Sequence, residues 1–219
     1  MNTTKAYKGL PMEGVIASWY ARTTLKDQKR HKGMAQQMSG KIPANGKVLE
    51  IAPGPGYFCI ELAKLGAYQI TGLDISKSFV EIARRNARQA GLKIDFREGN
   101  ASAMPFPENT FDFTFCQAAF KNFSEPVRAI AEMHRVLRPG GVSVISDLRR
   151  DASSAEIERE IQGMGIGPFN RFLVRWTFKN MLLKSAYSID EMRRLVAQTP
   201  FGGCEITLDG VGFQVWLKK

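Results

Sequence analysis

VLEIAPGPG, residues 48–56, decides the fold. Val48-Leu49-Glu50-Ile51 is a short apolar run that stops at Gly/Pro turn residues, as a buried parallel strand does. Gly54 and Gly56 then let the chain turn sharply and let a ligand approach the backbone closely, because neither carries a Cβ. A phosphate loop would continue with Gly-Lys-Ser/Thr, and none follows. A dinucleotide loop of the form G-x-G-x-x-G would place a third glycine where Cys59 stands. Glu50, at the end of the run, would repel a pyrophosphate and suits a cationic amine.

Working outward, residues 57–66 carry Phe58, Ile60, Leu62, Ala63 and Leu65 at helical spacing, with Gly66 as a stop. Tyr68–Leu73 is a second strand, closed by Asp74. That carboxylate lies 18 residues after Gly56, where it can accept hydrogen bonds from both hydroxyls of a ribose. Ser76 is placed to cap a helix that runs to Ala90 and ends at Gly91. Further strands are expected at 93–97, 111–116 and 142–146, with a helix over 126–137 closed by Pro139-Gly140-Gly141. Alternating strands and helices with short turns imply a parallel sheet covered on both faces. The tail differs: a helix at 189–197 precedes strands at 204–208 and 211–217. Their Asp209-Gly210 link signals a hairpin, so the last strand should run antiparallel.

The expected architecture is therefore α/β, a doubly wound and mostly parallel sheet of seven strands with an antiparallel last strand. It is one domain in four parts: a helical arm (1–45), a ligand-binding core (46–147), a helical cap inserted between strands five and six (148–187), and a final helix with a strand hairpin (188–219). Two carboxylates at the strand ends, Glu50 and Asp74, together suit a nucleoside bearing an ammonium group.

At this point the chain resembles the class I S-adenosylmethionine-dependent methyltransferases, of the broad small-molecule group. The stretches that carry the likeness are VLEIAPGPGYFCIELAKLG (48–66), ITGLDISKSFVEIAR (70–84), FREGNASAMPFPENTFDFTF (96–115) and EMHRVLRPGGVSVIS (132–146). Two positions depart from it. Ala52 stands where the family usually has the first glycine of its loop, and Asn100 where an Asp usually reaches the adenine amine. The asparagine keeps a carbonyl acceptor for that amine, as a neutral hydrogen bond. The resemblance implies S-adenosylmethionine as cofactor and S-adenosylhomocysteine as product. It implies that Glu50 lies near the methionine part, with Ala52, Gly54 and Gly56 in the loop beneath it. Asp74 would hold the ribose and Ile75 pack on adenine, whose edge Asn100 and Ala101 would meet. Gln117 would sit beside the sulfonium, and Tyr20 of the arm would cap the carboxylate or pack in the core.

No catalytic base is assigned. His31 in the arm can reach the site, whereas His134 reads as structural. Lys121, on the loop after the fourth strand, either pairs with an anionic substrate or faces solvent. The Asn/Asp-Pro-Pro-aromatic motif of nucleobase amino methylation is absent from Cys116–Phe123. No cysteine follows a proline, as cytosine carbon methylation requires. In the cap, Phe169, Phe172, Trp176 and Phe178 alternate with Arg171, Arg175, Lys179 and Lys184. They form either a lid over a hydrophobic or planar acceptor, hinged at the glycines of 163–167, or a helix seated on the sheet.

Composition narrows the class. With 31 Lys/Arg against 21 Asp/Glu the 219-residue chain carries +10. Residues 1–45 hold eight of those cations and only two acids, while each of the segments 46–139 and 140–219 has an excess of two. The charge is thus a property of the arm, chiefly Lys26, Lys29, Arg30, Lys32 and Lys41. It is either a solvated face or a basic surface for an anionic partner. Cys59, Cys116 and Cys204 are odd in number and widely spaced, which argues against a disulfide framework or a metal site and fits a cytoplasmic protein. No secretory signal or membrane span is expected. The expected partner is a small-molecule acceptor, anionic or aromatic. The alternatives are an RNA methyltransferase that holds phosphates on the basic arm, and a cofactor-binding protein without catalysis.

Overall fold

The computed structural model describes residues 7–8, 12–164, 167–177 and 182–219. The arm forms α1 (Gly14–Thr24) and α2 (Gln28–Ser39). The core then alternates β1 (Lys47–Ile51), α3 (Tyr57–Ala63), β2 (Gln69–Asp74), α4 (Lys77–Gln89), β3 (Asp95–Glu98), β4 (Phe111–Gln117), α5 (Pro126–Val136) and β5 (Leu137–Leu148). After the cap helices α6 (Ser154–Gly163) and α7 (Pro168–Thr177) come α8 (Ile189–Ala197), β6 (Glu205–Asp209) and β7 (Gly212–Lys218).

The strands form one sheet in the order β3-β2-β1-β4-β5-β7-β6. Strands β1 to β5 are parallel, and β7 pairs antiparallel with both β5 and β6. The seven-stranded mixed sheet expected from the sequence is the one observed. Because β1 lies between β2 and β4, the strand order reverses at its carboxyl end, where open α/β sheets bind ligands.

Both faces of the sheet are covered. One apolar cluster joins Leu49, Ile51 and Phe111 to Ile130, Met133 and Val196 of α5 and α8. The other joins Val48, Phe113 and Phe115 to Met38, Phe58, Leu62 and Val80 of α2, α3 and α4. Parallel strands buried on both sides read as continuous apolar runs for this reason. Ser76 caps α4 as the sequence predicts, its hydroxyl accepting from the Phe79 N–H at 3.0 Å. The arm is tied across the carboxyl edge of the sheet. Ala17 and Ala21 pack on Phe79 and Ile82, Glu13 accepts from the Ser78 N–H at 3.0 Å, and the Ser76 hydroxyl donates to the Met12 carbonyl at 2.6 Å.

The cap differs from the expectation. Its core is aliphatic: Ile157, Ile161, Leu183 and Val211, with Val174 packed against them. Phe172 and Trp176 are 66% and 51% exposed, so neither belongs to the aliphatic core that packs α7 on α6. Arg175 pairs with Glu158 of α6. The hinge residues 165–166 and the positions of Phe178 and Lys179 lie outside the described residues, as does the side chain of Phe169.

Candidate active site

The carboxyl ends of β1, β2, β4 and β5, the arm and the end of the cap enclose a cavity of about 1000 Å³. It lines up Tyr20, Glu50, Ala52, Gly54, Asp74, Ile75, Asn100, Ala101 and Gln117, all but one of the cofactor-binding residues expected from the sequence. The exception is Gly56, which does not border the cavity. Its φ is +80°, and a Cβ there would meet the Phe96 ring at 2.8 Å and the Ala83 methyl at 3.0 Å. Gly56 has a packing role: it lets the start of α3 approach α4 and β3. Gly54 is the residue that leaves space, with φ +53° and nothing within 4 Å of a built Cβ.

Two carboxylates give the site its electrostatic character. Glu50 is 3% exposed, and its Oε2 accepts from the Cys59 thiol at 2.8 Å. Burial pushes its carboxyl up to about 7, against the lowering effect of the Cys59 hydrogen bonds. Asp74 is 5% exposed; its Oδ2 accepts from the Gly54 N–H and its Oδ1 from the Ser76 N–H, both at 2.9 Å. Burial raises it to about 6, partly offset by those backbone donors. Neither forms an ion pair among the described residues, and no cation figures among the causes of either shift. Buried charges are normally paired, so both carboxylates suit a cationic, hydroxyl-bearing ligand. Asp74 also holds the glycine loop by its backbone, a role the sequence did not suggest.

Strain gathers at the same place. Among the described residues four other than glycine have positive φ, and two of them, Asn45 and Asn109, are of a type that tolerates it. The other two are Ala52 and Ala118, both at φ 56° and both bordering the cavity, at the ends of β1 and β4. Left-handed alanines cost about 1–2 kcal/mol each, and such residues persist where surrounding structure over-determines them. Ala118 is held on both sides: its N–H donates to the Ser146 carbonyl at 2.8 Å and its carbonyl accepts from Lys121 Nζ at 2.9 Å.

Lys121 is neither of the alternatives read from the sequence. It is buried, and Nζ is 2.9 Å from Asp147 Oδ1. The Asp147 carboxylate also accepts from the backbone N–H groups of Lys121 and Leu148. Asn100 is likewise partly engaged, since its Oδ1 accepts from the Ser102 N–H at 2.9 Å, which leaves one lone pair for a ligand.

The arm supplies groups that sequence reasoning passed over or left open. Tyr7 and Trp19 line the cavity, and so does Arg30, which forms no ion pair among the described residues. Tyr7 bridges to Phe123 in antiparallel fashion, and the Lys8 N–H donates to the Asn122 carbonyl. His31 also lines the cavity. Its ring lies 5.5 Å from that of Tyr57, and both ring nitrogens are buried without a hydrogen-bond partner. Burial lowers its pKa below the usual histidine value, so the imidazole is neutral at pH 7. His134 packs edge-on against Phe201 at 4.9 Å and does not border the cavity, consistent with a structural role. Among the described residues no cluster of His, Cys, Asp and Glu could hold a metal ion, and no helix is long and apolar enough to cross a membrane.

Comparisons with known proteins agree with this geometry. The family described as a methyltransferase domain matches residues 49–145. A demethylmenaquinone methyltransferase of Deinococcus radiodurans is 38% identical over 108 residues, which is 49% of this chain and 45% of that protein. The namesake of Thermus thermophilus is 35% identical over 100 residues, 45% of this chain and 46% of that protein. The aligned part thus spans about half the length of these curated relatives. Among solved structures, one assigned as an S-adenosyl-L-methionine-dependent methyltransferase of Methanococcus maripaludis superposes with a TM-score of 0.76. Its identity is 22%, with 97% of this chain and 95% of that one covered. At that identity the likeness speaks for the fold, and it extends to the arm and the cap. The family match over the sheet, the motif residues on one cavity and the shared fold converge: over residues 49–145 this chain is similar to methyltransferase domains, and its fold is that of S-adenosylmethionine-dependent methyltransferases.

Proposed function

We propose that the protein transfers a methyl group from S-adenosylmethionine to a small-molecule acceptor held in the same cavity. The observation that carries this reading is the pair of buried carboxylates, Glu50 and Asp74, that have no cationic partner among the described residues and lie on neighbouring strands at the point where strand order reverses. When bound, the cofactor supplies a methyl already activated by its sulfonium, so the protein's work is alignment and exclusion of water. Asp74 would hold the ribose hydroxyls with lone pairs not used by Gly54 and Ser76, and Ile75 would cover the adenine. Asn100 and Ala101 would meet the adenine edge. Glu50 would face the methionine part from the β1 loop, while Tyr20, with Arg30 beside it, would approach the carboxylate from the arm. Gln117 and the strained turn at Ala118 would stand between cofactor and acceptor.

Quinone precursors are among the acceptors to try, since the relatives named above are demethylmenaquinone methyltransferases. Calorimetry with S-adenosylhomocysteine tests the cofactor assignment. Labelled S-adenosylmethionine incubated with thiols, phenols, amines, carboxylates, demethylated quinones and total RNA tests the transfer. Absence of nucleoside binding would overturn the reading. Label appearing only in RNA would move it to the runner-up, in which the basic arm holds phosphates; steep loss of affinity with salt would accompany that outcome.

A further inference from the structure

The charge on the cavity wall is opposite to that of the chain. Among the described residues that border the cavity, four are acidic, Glu13, Asp27, Glu50 and Asp74, and two are cationic, Arg30 and Lys121. The two cations serve different ends. Arg30 lies in α2, whose Met34 and Met38 pack with Phe58 and Leu62 of α3, the helix that follows the β1 loop, so it belongs to the wall on the β1 side. Lys121 is the cation of the other side, where β4 and β5 end, and it is already spent: its ammonium group is bonded to Asp147 and to the Ala118 carbonyl. Lys8, nearby, donates to the Tyr187 hydroxyl at 3.0 Å and lies over its ring.

The cavity is also longer than its nucleoside end. Asp74 ends β2 and Leu148 ends β5, three strand spacings apart in the order β2-β1-β4-β5, which is about 14 Å at ~4.8 Å per strand. Over β4 and β5 the wall is made by Ala119, Phe123, Leu148 and Leu182, with Tyr7, Asn122 and Ser185 as uncharged polar groups. Ile16 and Trp19 of α1 border the cavity while 45% and 60% exposed, so they stand at its mouth. Among the described residues lining this end, an anion would lose hydration and meet no cation other than the paired Lys121, a cost that an apolar molecule avoids.

We propose that the methyl acceptor is an uncharged, largely apolar molecule that enters past Ile16 and Trp19 and lies over the ends of β4 and β5. Its reacting group is met by neutral hydrogen-bonding side chains rather than by a cation. This rests on the cofactor occupying the β1–β2 end as proposed above. It turns away from the anionic acceptor that the chain's net charge suggested.

The test is a charge series on one ring. Protein saturated with S-adenosylhomocysteine is titrated at pH 7.5 with uncharged 2-naphthol, anionic 2-naphthoate and cationic 2-naphthylmethylammonium. The expected result is 2-naphthol binding at least tenfold tighter than either charged analogue. 2-Naphthoate binding as tightly as 2-naphthol, or no detectable 2-naphthol binding at millimolar concentration, overturns the proposal while leaving the cofactor assignment intact. Failure of S-adenosylhomocysteine itself to bind removes both. Asp147→Asn provides a second readout, because it releases the Lys121 charge without changing the side chain's shape. In that variant 2-naphthoate should gain at least tenfold relative to 2-naphthol; an unchanged ratio in a folded variant would count against the proposal. Should the variant not fold, the charge series on the native protein still decides.

Discussion

If Glu50 is buried without a cationic partner until a ligand arrives, it must cost the ligand-free protein stability at neutral pH, and that cost can be measured. The carboxyl rises from 4.5 to about 7 on folding. A group whose pKa is raised in the folded state favours folding most while it is protonated in both states. That advantage is fully present below about pH 4.5 and is lost as pH rises through about 7. That rise from 4.5 to about 7 amounts to about 3 kcal/mol at pH 8. Glu50→Gln keeps the shape and an acceptor for the Cys59 thiol but cannot ionise. The variant should match the native protein within about 1 kcal/mol near pH 4.5 and exceed it by about 3 kcal/mol at pH 8, or roughly 6–12 °C in Tm. Urea unfolding of both proteins at the two pH values, without nucleoside, is the assay. The same variant should bind S-adenosylmethionine more weakly above pH 7, since the charge that favours a cationic ligand is gone. A Glu50→Gln protein no more stable than the native one at pH 8 would refute the reasoning, because it would mean that the carboxylate is compensated within the protein itself.

Three other perturbations separate the parts of the site. Asp74→Ala should weaken S-adenosylhomocysteine binding by ~1.5–3 kcal/mol, roughly 10- to 150-fold by calorimetry; unchanged affinity would sink the ribose assignment. The two loop glycines should divide their effects. Gly56→Ala forces a methyl to 2.8 Å from Phe96 at φ +80° and should lower stability by roughly 2–4 kcal/mol. Gly54→Ala, with open space around its Cβ, should cost only ~1–2 kcal/mol of stability while impairing nucleoside binding; equal loss of stability in both would contradict the division. Ala52→Gly relieves about 1–2 kcal/mol of left-handed strain and frees ~0.4–1 kcal/mol of unfolded-state entropy. It should therefore stabilise the protein by roughly 0.5–1 kcal/mol in urea unfolding, and a loss of stability would show that Ala52 is unstrained.

What the sequence made legible was carried by local pattern. The strands followed from apolar runs ending in turn residues, and the antiparallel end of the sheet from Asp209-Gly210, where Gly210 has φ +55°. The glycine loop and Asp74 were readable because a nucleoside site uses contiguous backbone at fixed spacing. Less legible were features made by residues distant in sequence. Lys121 and Asp147 are 26 positions apart, and nothing in either neighbourhood announces the pair. They meet only because β4 and β5 lie side by side in the sheet. The Tyr7–Phe123 bridge involves too few residues to show periodicity. On α7 the aromatic spacing misled, since Phe172 and Trp176 share a face four residues apart but it is Val174 that turns inward to the aliphatic core. Spacing identifies a face; it does not say which face is buried.

Net charge is the sharpest case of that distinction. An excess of ten positive charges suggests an anionic partner only if the charge converges on a surface the partner can reach. Here most of it belongs to the arm, whose described residues contribute to the cavity one arginine beside two acids, Asp27 and Glu13. Inside, where the effective dielectric constant is lower and each unpaired charge counts for more, acids outnumber cations. A bound molecule responds to the groups lining its site, because exposed charges beyond about 10 Å are screened at 0.1 M salt. The same argument makes the cofactor and acceptor ends electrostatically different. Unpaired carboxylates at β1 and β2 favour a cation, whereas the closed Lys121–Asp147 pair at β4 and β5 favours neither sign. If the acceptor lies over β4 and β5 as proposed, the transferred methyl would move away from the carboxylates of β1 and β2 toward a wall with no unpaired charge among the described residues.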